Sequence, residues 1–154
     1  MPVGAGKYQV TDVAFHFGAP NKLNYACRLL RKAVGSGAKV LVVADAAVLH
    51  RLDADLWAIS PTDFVAHCWN TADAFTQQRS PVVLANHVVQ VSAQLNVLVN
   101  LADGMPEGFE DFERVIEVVG TDDADRDLAR VRWRQYTERG YKILRHDLTL
   151  RGAS

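Results

Sequence analysis

The chain has 154 residues, of which 49% are hydrophobic and 23% are charged, and its formal net charge is −1. This length fits a single domain with a substantial core, and the high apolar content excludes a disordered chain. A net charge close to zero excludes the global positive field that drives direct binding to nucleic acid. Two cysteines, Cys27 and Cys68, are too few for a disulfide scaffold and lack the close spacing of a zinc site.

Neither a membrane span nor an export signal is predicted. Residues 1–10 contain no apolar stretch of signal-peptide length, and no run reaches the ~18 apolar residues that a membrane span needs. Cys27 lies in an apolar helix pattern and is interpreted as a small buried hydrophobe. We therefore expect a cytoplasmic protein with reduced thiols.

The first half of the chain alternates between strand and helix patterns. Residues 13–17 form a short strand pattern, after which Asn21 is suited to cap a helix that runs to about residue 34. Residues 39–44 are a continuous β-branched run, typical of a strand buried on both faces. Asp45 then caps a helix through about residue 58. We expect strands 13–17 and 39–44 to be adjacent and parallel, because a strand, a helix and a strand in succession form a crossover unit.

The second half is less regular. A turn at residues 61–63 precedes an apolar segment, two further strands follow, and a long helix begins near Asp122 and ends at Gly140. The apolar segment is 64–67, the strands are 81–85 and 95–101, the loop after them is 103–108, and 109–119 has a helical or mixed pattern. Alternating elements with short connections predict an α/β fold with a largely parallel sheet.

No motif predicts catalysis or nucleotide binding. Residues 4–7 lack the GxxxxGK[ST] spacing of a phosphate loop. Residues 35–39 join a helix to a strand, whereas phosphate loops join a strand to the N-terminus of a helix. The fold class alone leaves an α/β nucleotide-binding or hydrolytic enzyme of unknown substrate as the alternative function.

The histidines do not form a metal-binding pattern. They are His16, His50, His67, His87 and His146, with no HxxxH or HExxH pair among them. The acids of residues 122–127 lie where a helix begins, so they are interpreted as partners for its free amide groups. No metal, cofactor or catalytic residue is predicted.

Charge is strongly segregated along the chain. Residues 101–127 contain ten acids and two arginines, a local balance of −8, whereas residues 130–151 contain seven basic residues and two acids, a balance of +5. Such asymmetry indicates a surface that meets one sign of charge locally.

The last helix sharpens this pattern. Arg126, Arg130 and Arg134 recur every four residues and form one stripe, with Trp133 beside it. A tryptophan flanked by arginines suits an acidic peptide that ends in an apolar side chain and a carboxylate. The spacing leaves open a second interpretation, a solvated basic face with Trp133 half-buried. The core-facing side is predicted to comprise Leu128, Ala129 and Tyr136, with Val131 further round.

Two segments carry a family resemblance. The first comprises residues 51–57 (RLDADLW), followed by Pro61 and residues 64–67 (FVAH). The second comprises residues 127–136 (DLARVRWRQY), followed by Gly140 and Tyr141. Both resemble the chi subunit family of bacterial DNA polymerase III holoenzyme. The resemblance extends from about residue 11 to residue 148, within a single domain that spans residues 1–154. It implies a Rossmann-like three-layer sandwich with a mostly parallel central sheet and no nucleotide chemistry.

The resemblance also implies a function. Family members are non-catalytic adaptors that bind the acidic C-terminal tail of single-stranded-DNA-binding protein, and many bind the small psi subunit, which links them to the clamp loader. Contact with nucleic acid is then indirect. The tail-binding positions carried over by motif are Trp57, Val119, Arg126, Arg130, Trp133 and Arg134.

The implied roles differ among these positions. Trp57 and Val119 wall a hydrophobic cleft, the arginines take the carboxylates of the tail, and Pro61 with Phe64 forms a separate surface for psi or another partner. Relatives often have tyrosine where this chain has Trp133, and lysine in place of Arg126 and Arg134, so the physical character is kept. Residues 70–80 match the family poorly and are predicted to form a variable loop.

Overall fold

The computed structural model describes residues 11–58, 65–88 and 95–151. Within them the chain forms seven strands and four α-helices, with 3₁₀ turns at Phe109–Asp111 and Leu148–Arg151. In chain order the elements are β1 (Asp12–Ala19), α1 (Lys22–Gly35), β2 (Val40–Val43), α2 (Ala46–Ala58), β3 (His67–Trp69), α3 (Ala74–Arg79), β4 (Val82–Ala85), β5 (Val97–Asn100), β6 (Arg114–Gly120), α4 (Asp123–Glu138) and β7 (Ile143–Asp147).

The strands form one sheet in the order β3-β4-β2-β5-β6-β1-β7. Every neighbouring pair is parallel. Helices cover both faces, because α1 and α2 pack on one core cluster and α4 packs on the other. The predicted α/β class, with a Rossmann-like three-layer arrangement, is confirmed.

The predicted adjacency of the first two strands is wrong. β1 and β2 lie parallel in the same sheet, but β5 and β6 separate them. All four residues of β2 are buried, whereas β1 alternates buried residues with partly exposed ones such as Ala14 and His16. A strand buried on both faces belongs at the centre of the sheet, and a strand of mixed burial is tolerated nearer the edge.

The helix N-termini begin where the capping residues predict. The side-chain oxygens of Asn21, Asp45 and Asp122 each accept a hydrogen bond from the amide three residues later, all at 2.9 Å. These bonds satisfy amides that have no partner inside the helix. Cys27 is buried in α1 as predicted, and this burial raises the pKa of its thiol to about 11.

Two other segments differ from expectation. Residues 109–119, predicted as helical or mixed, contain a 3₁₀ turn followed by β6. The buried Glu117 interrupts the apolar run of β6, which is why the strand pattern was obscured. The predicted loop at residues 70–80 contains α3, whose N-terminus is capped by Asp73 through the amide of Thr76.

The orientation of α4 was only partly predicted. Ala129 and Tyr136 are buried as expected, but Leu128 and Val131 are exposed. Arg132 is instead the buried residue of this turn, with 1% of its surface exposed. An arginine is rarely buried without an ionic partner, and the partner here, Glu117, lies on β6.

Candidate functional site

A groove of about 650 Å³ lies between α4 and the strands β1, β6 and β7. Its floor is apolar and its rim is predominantly basic. The floor consists of Phe15, Phe17, Val119, Ala129 and Trp133, and the rim of Arg126, Arg130, Arg134, Thr137, Glu138 and Arg145. Five of the six residues expected at the tail-binding site therefore lie around one groove, namely Val119, Arg126, Arg130, Trp133 and Arg134.

The floor is held by aromatic packing. The ring centroids of Phe15 and Trp133 are 5.0 Å apart, and Phe15 also meets Tyr136 edge-on at 5.9 Å. Val119 is buried beside them, whereas Trp133 is only half-buried. Trp133 thus presents part of its indole to the groove while its other contacts keep it in place.

The arginines of the α4 stripe differ in their partners. Arg126 lies 3.5 Å from Asp123, and Arg130 lies 2.9 Å from Asp127, with both pairs exposed. Exposed pairs of this kind contribute little to stability, about 0.2–1 kcal/mol, so an incoming carboxylate can displace them. Arg134 makes no ion pair within the described part of the chain.

Arg145 is a groove residue that the sequence patterns did not identify. It comes from β7, and its Cζ lies 5.1 Å from the Phe17 ring centroid and 6.0 Å from that of Trp133. Across the described residues it has no carboxylate partner. The parallel register of β7 with β1, in which Phe15 is paired with Arg145, brings it to the groove. The sequence of β7, Ile-Leu-Arg-His-Asp, does not alternate between apolar and polar residues, so no local pattern pointed to Arg145.

The structure does not bring Trp57 into this groove. Trp57 lies near the end of α2, in the helix layer on the opposite face of the sheet from α4. Its side chain is 62% exposed, and its ring centroid is 5.4 Å from that of His67. The expectation that Trp57 and Val119 wall one cleft is therefore not met. Pro61 and Phe64 lie outside the described residues.

A buried polar network lies beneath α4. Glu117 accepts hydrogen bonds from Arg132 Nε at 2.8 Å, from the Tyr136 hydroxyl at 2.8 Å and from Asn100 Nδ2 at 3.0 Å. Arg132 Nη1 donates to the carbonyl of Asp103 at 2.7 Å, and Asn100 Nδ2 also donates to the carbonyl of Gly104. The network joins α4 to β5, to β6 and to the loop after β5, so it fixes the rotation of α4 about its own axis.

Burial is the largest influence on the pKa values of Glu117 and Tyr136 in this network. It raises the pKa of the Glu117 carboxyl, although Arg132, Asn100 and Tyr136 all favour the charged form. Burial and the neighbouring Glu117 likewise raise the pKa of Tyr136. The Tyr136 hydroxyl therefore stays a hydrogen-bond donor to Glu117.

The start of α4 is tied to two other elements. Asp125 accepts hydrogen bonds from the amide of Gly120 at 2.7 Å and from Lys22 Nζ at 3.1 Å. The acids of residues 122–127 thus act as caps and as pairs for neighbouring arginines, which confirms their interpretation as helix-start residues. Together with the buried network, these contacts hold the buried side of α4 against the sheet and leave its arginine stripe at the rim of the groove.

The described residues contain neither a metal-binding cluster nor a membrane-spanning helix. No group of three His, Cys, Asp or Glu side chains in residues 11–58, 65–88 and 95–151 converges to hold a metal ion. Over the same residues, no helix is long and apolar enough to cross a membrane.

Comparison with known proteins assigns the family. The family described as DNA polymerase III chi subunit, HolC, matches residues 10–144. The chain belongs to the chi subunit family of DNA polymerase III. The sequence resemblance is thereby confirmed.

Curated chi subunits cover most of the chain. The DNA polymerase III subunit chi of Pseudomonas aeruginosa is 34% identical over 134 residues, covering 82% of this chain and 87% of that protein. The Haemophilus influenzae chi subunit is 29% identical over 77% of this chain and 81% of its own length. The Escherichia coli chi subunit is 28% identical over 76% of this chain and 79% of its own length. Each relative is named as a subunit of DNA polymerase III.

Proposed function

We propose that this chi-family protein is a non-catalytic adaptor of DNA polymerase III that binds the acidic C-terminal tail of single-stranded-DNA-binding protein. The observation that carries the proposal is the groove along α4, with its apolar floor and four arginines at the rim. Family membership supports it, because the curated relatives are replication subunits.

The chemistry of the groove fits such a tail. The resemblance implies a partner with several aspartates and a terminal phenylalanine. A floor of Phe15, Val119 and Trp133 offers contact area for one aromatic ring, and a volume of about 650 Å³ accommodates a ring with a few backbone units. The arginine forks at the rim match carboxylates in geometry and charge.

Different arginines are expected to bind different carboxylates of the tail, depending on whether each arginine already has an acidic partner. Arg130 lies mid-stripe and takes an aspartate side chain after releasing Asp127. Arg145 has no acid to release and lies against the aromatic floor, beside Phe17 and Trp133. Since the terminal carboxylate belongs to the same residue as the buried ring, Arg145 is the cation placed to bind it.

The test is a titration of the protein with a fluorescent tail peptide, with and without its terminal phenylalanine. The full peptide is expected to bind, and removal of the phenylalanine is expected to abolish most of the affinity, because the floor then gains no apolar contact. Equal affinity for the two peptides, or binding of neither, contradicts the proposal.

A second surface is proposed for psi, the link to the clamp loader. Trp57 is exposed one residue before α2 ends, and the chain continues into the segment that contains Pro61 and Phe64. We assign Trp57 to this surface rather than to the groove.

Trp57→Ala is expected to weaken capture of psi, or of the clamp-loader component in its place, while tail binding is unchanged. Loss of tail binding in this variant would return Trp57 to the tail site.

A further inference from the structure

A second groove, of about 790 Å³, lies on the opposite face of the sheet between α1 and the edge strand β7. The helix-covered core on this face is built mainly on β2, β4, β5 and β6. Over β1 and β7 the sheet forms the floor of the groove, with Ala14, Ile116 and Leu144 among its apolar residues. Leu144, on the edge strand β7, is 69% exposed.

The rim of this second groove is basic. Arg28 and Lys32 are one turn apart on α1, Arg114 begins β6, and Arg145 comes from β7. Asp12 is the one acid among the residues that line it. Within the described parts of the chain, none of the four cations makes an ion pair. The groove therefore combines an aliphatic floor with three cations available to a ligand, Arg28, Lys32 and Arg114, because the guanidinium of Arg145 lies against Phe17 and Trp133 in the first groove.

The chemistry favours an acidic peptide over stacked nucleobases. The rings in this groove are packed against one another, since His16 Nδ1 and the Tyr25 hydroxyl are hydrogen-bonded at 2.6 Å and the rings of His16 and His146 are 4.5 Å apart. The surface offered to an incoming group is mostly aliphatic. Single-stranded nucleic acid is bound by stacking on open aromatic faces, whereas an acidic peptide needs cations and apolar contact.

The two grooves meet at Arg145, which lines both. β7 ends the strand order, so one strand separates them at this edge of the sheet. Packed layers lie about 10 Å apart, so the path around β7 from one face of the sheet to the other is on the order of 10–15 Å, which is about three to five residues at about 3.3 Å per residue.

We propose that the acidic peptide bound in the α4 groove continues across β7 into the second groove, where acidic residues upstream of its C-terminus pair with Arg28, Lys32 and Arg114. This inference rests on the proposed tail binding and extends it. The first groove anchors the terminal residues of the peptide. The cations of the second groove bind the acidic residues that precede them.

The test uses three labelled peptides at low salt. The first is a short acidic peptide of about three residues that ends in phenylalanine, since at about 3.3 Å per residue it spans only about 10 Å and stays in the first groove. The second extends it at the amino end by about eight residues, half of them aspartate, enough to pass around β7. The third has serine at those aspartate positions.

The variants are the double variant Arg28→Glu/Lys32→Glu and the single variant Arg114→Glu. The control is Arg51→Glu, an exposed α2 arginine on the same face of the sheet that does not line the groove. All the changed residues are exposed, so the fold is expected to persist, and a thermal melt of each variant checks this.

The expected result is a specific gain from the acidic extension. On the wild type it should tighten binding about five-fold relative to the serine extension, since each exposed ion pair contributes a factor of about 1.4 to 5. That advantage should disappear in Arg28→Glu/Lys32→Glu, shrink in Arg114→Glu and persist in Arg51→Glu. The short peptide should bind all variants equally.

Several outcomes would overturn the inference. An acidic extension that brings no advantage, or the same advantage in Arg28→Glu/Lys32→Glu, excludes the continuation while leaving tail binding intact. If the short peptide does not bind the wild type, the proposed function fails first, and the continuation fails with it. If instead a dT oligonucleotide of about 15 nucleotides binds and is lost in the double variant while the peptides do not respond, the surface belongs to nucleic acid.

Discussion

At the scale of single residues, the groove arginines are distinguished by what they must release before binding. Arg130 is paired with Asp127 at 2.9 Å, whereas Arg145 has no acidic partner within the described residues. Hydrogen bonds to charged groups contribute about 1.5–3 kcal/mol. Because Arg130 gives up its pair, we place it near the lower end of that range and Arg145 near the upper end.

We therefore expect Arg130→Ala to weaken tail-peptide binding by about 1.5 kcal/mol and Arg145→Ala by up to about 3 kcal/mol. Amidation of the peptide C-terminus should remove most of the Arg145 effect and little of the Arg130 effect, because only the terminal carboxylate is lost. Lys142→Ala, which removes a nearby exposed charge outside the groove, is the matched control. Unchanged affinity in both arginine variants would exclude this division of the carboxylates.

Trp133 and Trp57 offer a second comparison. Trp133→Ala should weaken tail binding through lost apolar contact, with little change in its salt sensitivity, and should lower stability because Trp133 packs on Phe15. Trp57→Ala should leave tail binding unchanged, because Trp57 lies in the opposite helix layer. Peptide titration at two salt concentrations, alongside urea unfolding, measures both effects. If Trp57→Ala weakened tail binding more than Trp133→Ala did, the assignment of Trp133 to the groove and of Trp57 to the other surface would be wrong.

At the scale of secondary-structure elements, the Glu117–Arg132 pair couples β6 to α4. Either single change, Glu117→Leu or Arg132→Met, leaves a buried charge without its partner and should lower the free energy of unfolding by about 3–5 kcal/mol. The double change should cost much less than the sum, since both charges are removed together. It also removes Arg132 Nη2, a buried donor without an acceptor among the described residues.

Urea unfolding of the four proteins in this cycle measures the coupling. Exposed Arg126→Met on the same helix serves as the control, because its pair with Asp123 is exposed and long, at 3.5 Å. Additive effects of the two changes would show that Glu117 and Arg132 do not act as one unit.

At the scale of the whole molecule, both grooves are basic although the net charge is −1. Most of the first groove's cations come from the basic segment 130–151, whereas the second groove takes Arg28 and Lys32 from α1 and Arg114 from β6, so the overall balance conceals local fields. We expect the affinity for the tail to fall steadily as salt rises from about 50 to 300 mM, because exposed charges are screened over about 8–10 Å. Titrations across that range test this, and a salt-independent affinity would mean that the arginines make no ionic contribution.

The described elements show why part of the fold was predictable. The helix starts at Asn21, Asp45 and Asp122 depend on hydrogen bonds that span three residues, so the local sequence predicts them. Strand adjacency depends on pairings between distant segments, such as Val13 with Val115, and the chain order of strands does not determine them. β6 was missed because its buried Glu117 is stabilised by Arg132, which is 15 residues away.

The groove, too, has features that the local sequence predicts and features that depend on contacts between distant segments. The helical repeat alone determined that Arg126, Arg130 and Arg134 share a stripe beside Trp133, because side chains four residues apart lie on one face of a helix. Only the tertiary structure decided that Arg145 and Phe15 complete the groove and that Trp57 lies in the other layer. The physical reason is that parallel strand pairing places β7 beside β1, and the buried Glu117–Arg132 pair fixes which side of α4 faces the sheet.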